Sequence, residues 1–433
     1  MSFHKKFLSS SILSVIDQGL LSALNFLIGA LLIRLVAKDD YGLYGQLYVG
    51  GLLAGLLVDS WIAGPLTTVT SVVSENTRRH LLRTFWTRQI FWTLVMAAIA
   101  FLVVEFIPAA THYAEKSWGL GAAFGLYVIG NGLREYGRTV GFIQSAIPQV
   151  LRQDVVYVLL VLTGLTGLLY FEYLALLPLF LVLSGASLLA ALYGRSALMQ
   201  LTATQAAIET HDQETLQAHQ ETIRSHGRWA VAGALVGWLS NYSYVYLSGA
   251  MLGAAAIADL NAARLLLMPI PLAVAAWIRV ARPVAGRLMQ EHNWTGLRKL
   301  TLMSVLGIEA VVLCFVGVLL LAMPWLQTHF IDKNKYAGLD LLIMLWGAYF
   351  AVNAVRTIGT SWLMSGGAFR SMFKLGVVTL VLVIAITTLT MPYLASAGAI
   401  VALICVEVFE TVVVWRFILP SLRRQAENAL ANG

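Results

Sequence analysis

The chain has 433 residues, of which 59% are hydrophobic and only 12% charged, with a mean hydropathy of +0.77 and a net charge of +7. A soluble domain carries about 25% charged residues, so the composition excludes one and predicts an all-α, polytopic membrane protein. The basic excess does not point to nucleic acid, because the Lys and Arg residues are spread over short loops and do not cluster on one face.

Twelve apolar runs follow one another, at about 12–35, 43–73, 90–107, 119–143, 155–172, 174–194, 228–251, 254–280, 301–323, 339–364, 373–391 and 397–419. Each is long enough to span a bilayer as a helix, which takes roughly 20 residues. None alternates apolar and polar residues as a barrel strand does, and helices satisfy their own backbone in lipid. The first run, after the basic MSFHKKFLSS, is too long for a cleaved leader and has no small-residue cleavage site. One set of connecting segments holds 21 Lys and Arg residues and the alternate set 5, with Arg134, Arg264 and Arg356 left inside runs. The positive-inside rule then places both termini in the cytoplasm.

In chain order, run 1 carries Asp17 and, at helical spacing, Gln18, Ser22, Asn25 and Gly29. Run 2 has Asp59 ahead of a Gly64-Pro65 kink. Run 4 aligns Tyr127, Asn131, Arg134 and Arg138 on one helix face, with Glu135 three residues before Arg138. The polar stretch 196–227, rich in Gln, Thr and His, reads as a solvated cytoplasmic linker, in part helical on the membrane surface. Run 7 follows with Gly237, Asn241, Tyr244 and Ser248, and run 8 with Asp259, Asn261 and Arg264. Run 9 has Glu309, run 10 aligns Tyr349, Asn353, Arg356 and Thr360, and run 12 has Glu407 and Glu410 three apart. Cys314 and Cys405 read as small core hydrophobes, with neither a disulfide framework nor a metal spacing.

The pattern Tyr-x3-Asn-x2-Arg-x2-Gly therefore occurs twice, at 127–137 and 349–359. Leu21-Ser22 matches Leu239-Ser240, Trp61-Ile62 matches Trp277-Ile278, and Tyr173-Leu174-Ala175 matches Tyr393-Leu394-Ala395, at similar offsets. The chain reads as a duplication: a six-helix bundle over 1–195, the linker 196–227, and a second bundle over 228–433. Six runs per half make the repeat parallel.

A charge at the bilayer centre costs roughly 2.5–3.5 kcal/mol on insertion scales, so the three intramembrane arginines do not face lipid. They face a wet cavity or carboxylate partners. Pairing is open to Arg138 with Glu135 and to Arg264 with Asp259. The repetition of Arg134 as Arg356 favours an anion clamp, a task suited to guanidinium forks. Arg134, Arg356 and Arg264, with Asn131, Asn353, Asn25, Gln18 and Asn261, are the candidate substrate-binding residues. Asp17, Asp59, Glu309, Glu407, Glu410 and Asp259 are candidates for carrying protons or Na+, or else for neutral, hydrogen-bonded packing.

The stretch IRLVAKDDYGLYGQL (33–47) resembles the Arg-x-Leu…Asp-Tyr-Gly-x-Tyr-Gly pattern of polysaccharide flippases, through Arg34, Leu35, Asp40, Tyr41, Gly42, Tyr44 and Gly45. LGAAAIADLNAARLLLMPIP (252–271) and HFIDKNKYAGLDLLIML (329–345) are similar to later segments of that family, with a departure at Ala258-Asp259-Leu260-Asn261. The family is the polysaccharide-transporter branch, with its Wzx-type flippases, of the multidrug/oligosaccharidyl-lipid/polysaccharide (MOP) exporters. The resemblance implies a V-shaped pair of six-helix bundles with alternating access, a cationic cavity and a lipid portal between spans 1 and 8. It implies an undecaprenyl-pyrophosphate-linked oligosaccharide as substrate, for O-antigen or exopolysaccharide. It further implies the bacterial inner membrane as location and glycan polymerase and chain-length machinery as partners. No cofactor is expected beyond proton or Na+ coupling. A multidrug/cation antiporter of the same superfamily is the alternative. A membrane enzyme is disfavoured by short outer loops and by histidines that all lie outside the runs or at their edges.

Overall fold

The computed structural model describes residues 3–106, 119–203, 210–329, 331, 335, 336 and 338–424. Thirteen helices account for most of them: α1 (Phe3–Leu35), α2 (Lys38–Val58), α3 (Gly64–Thr70), α4 (Glu75–Phe106), α5 (Leu120–Ile143), α6 (Ile147–Tyr170), α7 (Leu176–Leu201), α8 (Thr210–Leu252), α9 (Ala254–Leu266), α10 (Pro269–Gln290), α11 (Trp294–His329), α12 (Leu339–Ser365) and α13 (Phe369–Val413). All twelve apolar runs fall on them. Run 2 takes in α2, a π-helical turn at Asp59–Ala63, and α3, which opens on Gly64-Pro65. Proline has no N–H to give the preceding turn, and a π-turn is one way to absorb the loss. Run 8 is α9 and α10, bent by 50° ahead of Pro269. Runs 11 and 12 are the two arms of α13, broken at Ala395 (φ 49°, ψ −134°).

Eight of the helical segments are long and apolar enough to cross a membrane, or nine with the bent pair. Neither α5 nor α8 is among them; α5 contains Arg134, Glu135 and Arg138, and α8 a polar first half. The chain is a multi-pass membrane protein.

Two compact units divide the chain: Met1–Ile28 with Gln46–Leu235, and Gly29–Gly45 with Val236–Gly433. In the first, α5 packs on α4, α6 and α7. Small residues let it approach: a Cβ on Gly130 would sit 2.8 Å from the Ser187 Cβ, and one on Gly132 2.7 Å from the Thr93 methyl. Close backbone approach is how helices gain packing where lipid removes the hydrophobic drive. In the second unit α12 holds the corresponding place, against α9, α10, α11 and α13. Its Trp346 and Trp362 are fully buried, and their indole N–H groups donate to Leu260 O (3.1 Å) and Thr301 Oγ1 (3.0 Å). Both α5 and α12 start after a glycine in the left-handed region, Gly119 (φ 90°) and Gly338 (φ 77°), where a side chain would be strained.

Two segments differ from the division expected from sequence. Residues 29–45, the end of α1 and the start of α2, belong to the second unit. The expected linker 196–227 is largely helix: α7 runs to Leu201 and α8 starts at Thr210, while 204–209 lie outside the described residues. The first turns of α8 pack on the first unit. Leu216 and Ile223 are buried in a cluster that takes in Trp61, Trp86 and Trp92, and Arg88 donates to Gln220 Oε1 at 3.0 Å. Apolar residues spaced by seven within a polar-rich stretch make a helix with one buried stripe, which composition alone conceals. Cys314 and Cys405, expected in the packing, lie instead on exposed faces of α11 and α13.

Candidate functional site

In the first unit the arginines of the α5 stripe meet three carboxylates. Arg134 is buried, and its guanidinium donates to Asp154 Oδ1 (3.1 Å), Glu135 Oε1 (2.8 Å) and Asn131 Oδ1 (3.2 Å). Its flat face lies 3.9 Å from the Tyr157 ring centroid. Arg138 donates to Glu135 Oε2 (2.7 Å) and Asp17 Oδ2 (2.8 Å). Its Nε lies 2.6 Å from Asp154 Oδ2, an ion pair set off-angle for a hydrogen bond. Among the described residues two cations thus face three acids, Asp17, Glu135 and Asp154, which leaves one carboxylate in excess. Beside this network is a cavity of about 330 Å³ lined by Asp59, Gln89, Tyr127, Asn131 and Glu135. The π-helical turn carries Asp59 to its wall.

In the second unit Arg356 Nε donates to Glu407 Oε2 at 2.5 Å and lies 3.0 Å from Glu410 Oε2. Asn353 Nδ2 donates to Glu407 Oε1 (3.1 Å), and the Thr379 hydroxyl to Glu410 Oε1 (2.5 Å). Among the described residues one cation faces two acids, again one carboxylate in excess. The cavity here, about 180 Å³, is lined by Asn241, Tyr349, Arg356, Thr360, Glu407 and Glu410 among others.

Arg264, on α9, has a different setting. It is half-buried and donates to the Tyr244 hydroxyl at 2.9 Å. The rings of Tyr242 and Trp346 lie 5.4 and 5.5 Å from its guanidinium. Among the described residues it makes no ion pair. The pairing with Asp259 left open by the sequence does not form, because five residues along a helix is about 140° around it. Asp259 pairs with Lys38 at 2.7 Å. Close by, the Lys335 ammonium donates to Ile33 O (2.7 Å) and to Val36 O, at the C-terminal end of α1. Cations suit that end of a helix, where carbonyls lack partners. Asn261 packs on Gly45, where a Cβ would lie 1.9 Å from its Nδ2.

Of the remaining sequence candidates, Gln18 and Asn25 are exposed on α1, and Glu309 is half-buried on α11 with Oε1 lacking a hydrogen-bond partner among the described residues. The structure thus brings together Asp17, Asn131 and Arg134, and separately Asn353, Arg356, Glu407 and Glu410. Sequence reading missed Asp154, which sits one residue before an expected run. Its signal was its type: an acid at the mouth of an apolar helix calls for a partner.

Neither a family model nor a curated protein sequence matches the chain. Solved structures do. An inward-facing multidrug resistance MATE family transporter of the MOP superfamily superposes with TM-score 0.71 at 11% identity, over 93% of this chain and 96% of that one. The lipid II flippase MurJ, in an inward closed conformation, superposes with TM-score 0.73 at 10% identity, over 98% and 91%. A MOP superfamily transporter from Pyrococcus furiosus, described by a reversed polarity of its binding pocket, gives 0.65 at 14% identity, over 98% and 96%. The chain has the fold of the MOP transporters. Within that fold the repeated arginine stripe lies on α5 and α12, which start after Gly119 and Gly338, and Arg134 and Arg356 are each answered by acids.

Proposed function

We propose that this chain is a flippase that moves an undecaprenyl-diphosphate-linked oligosaccharide from the cytoplasmic to the outer leaflet of a bacterial inner membrane, by alternating access and with both termini in the cytoplasm. The observation that carries this reading is Arg264. Arg134 and Arg356 already have carboxylates, whereas Arg264 is a half-buried cation held by a phenol and aromatic faces and by no acid among the described residues. A guanidinium in that state is suited to a phosphate, which it binds through parallel N–H donors. The lipid tail stays in the bilayer, and the glycan, too polar to cross hydrocarbon, finds hydroxyls and amides inside. Each negative charge carried outward across about 100 mV gains roughly 2.3 kcal/mol. The spare carboxylate in each arginine cluster is the place for a coupled proton or Na+. The resemblance of 33–47 to polysaccharide flippases supports the same substrate class.

The net-acidic character of both clusters favours a second reading, a cation or drug antiporter. Proteoliposomes separate the two. The flippase exposes a labelled undecaprenyl-diphosphate glycan on the far leaflet, faster under an imposed potential, and Arg264→Gln loses this at least tenfold while remaining folded. Unchanged exposure with Arg264→Gln removes the assigned role. Proton-driven ethidium export without glycan exposure establishes the antiporter instead.

A further inference from the structure

Arg264 does not stand alone. Its Tyr242 neighbour belongs to a stripe on α8, Trp238, Tyr242 and Tyr246, one turn apart. The Trp238 ring centroid lies 5.9 Å from that of Tyr242 and 5.6 Å from that of Tyr246. We infer that this stripe is a stacking surface for the sugar nearest the diphosphate, with Arg264 at its edge holding the phosphate. The inference rests on the proposed function and names the part of the substrate that α8 reads.

The outer part of this stripe, Tyr242 and Tyr246, is less covered than its inner end. Trp238, Ser243, Tyr244, Val245, Ser248 and Gly249 are the buried positions of that stretch. Tyr242 is half-buried and Tyr246 is 38% exposed, so the stripe emerges from the packing as it passes Arg264. At its inner end Trp238 is 7% exposed, and its indole N–H has no acceptor among the described residues.

The chemistry of the three neighbours selects the ligand. A pyranose has a C–H face that lies on an aromatic ring and a rim of hydroxyls that seek donors and acceptors. Large amphipathic rings supply both. An acyl chain has no use for phenol hydroxyls, and a cationic drug is repelled by Arg264. Because the C–H face is common to many sugars, the first ring stacks whatever its identity.

The test compares two probes on the purified full-length protein: undecaprenyl diphosphate, and undecaprenyl diphosphate bearing one N-acetylglucosamine. Wild type binds the glycosylated probe about tenfold more tightly, as two stacked rings supply. Tyr246→Leu cuts that preference several-fold and Tyr246→Phe keeps it. Arg264→Gln weakens both probes alike. Equal affinity of wild type for the two probes, or a preference untouched by Tyr246→Leu, overturns the stacking surface. Failure of folded wild type to bind either probe overturns the flippase reading itself.

Discussion

Arg138 is the residue on which the first unit's electrostatics turn, since it touches all three acids, Asp17, Glu135 and Asp154. Removing one partner of a buried ion pair costs about 3–5 kcal/mol, because the other charge is stranded. Stoichiometry sharpens that rule here. Arg138→Met leaves three carboxylates to one cation and should lower the thermal midpoint in detergent by a large margin. Asp154→Asn leaves two acids for two arginines and should cost less, although Asp154 is the more deeply buried residue. The same order is expected in the second unit, with Arg356→Met more damaging than Glu410→Gln. Thermal unfolding followed by intrinsic fluorescence decides it, and a reversed order in both units would show that the spare carboxylate is held neutral at no cost. The arginines themselves were legible in the sequence, because a cation inside an apolar run must be answered. Their partners were not. Arg134 is answered from α6 and Arg356 from the second arm of α13, so the repeat preserves the cation and not the helix that compensates it.

At the scale of elements, the contact between α2 and α9 rests on two glycines. A Cβ on Gly42 would lie 1.9 Å from the Ala254 carbonyl oxygen, a backbone atom fixed at the start of α9. A Cβ on Gly45 would meet the Asn261 side-chain amide at the same distance, and a side chain can turn aside. Gly42→Ala should therefore abolish folded protein, while Gly45→Ala should cost a few kcal/mol, on the order of other overpacked sites. Asn261→Ala should restore part of the Gly45→Ala loss, which makes a double-mutant cycle the measurement. By contrast Gly19, with open space around it, should accept alanine and gain up to about 1 kcal/mol of helix propensity. Helix existence and the duplication were readable from apolarity and spacing, and the Gly64-Pro65 irregularity was visible as well. Burial of Leu216 and Ile223 was not, because Gln217, His219, Gln220, Glu221 and Thr222 stand between them and hide a one-sided stripe from any composition measure.

For the whole molecule, the two units exchange chain. Residues 29–45, from the expected first bundle, belong to the second unit, and α8 up to Leu235, which takes in 228–235 of the expected second bundle, belongs to the first. Separately encoded fragments 1–203 and 210–433 should therefore co-purify when expressed together, each supplying a segment that the other's unit lacks. A fragment 236–433 alone should fail to accumulate, because Asp259 and Lys335 lose Lys38, Ile33 and Val36. Pull-down of a tagged half reads both outcomes, and independent accumulation of 236–433 would show the exchange to be dispensable. The Lys335 clasp also sets a schedule for synthesis. Lys335 lies 302 residues after Ile33, and at roughly 5–20 residues per second a ribosome needs about 15–60 s to cover that distance. For that interval the end of α1 has been made and its carbonyl partner has not, so the nascent hairpin of α1 and α2 depends on whatever receives it at the membrane until the last third of the chain arrives.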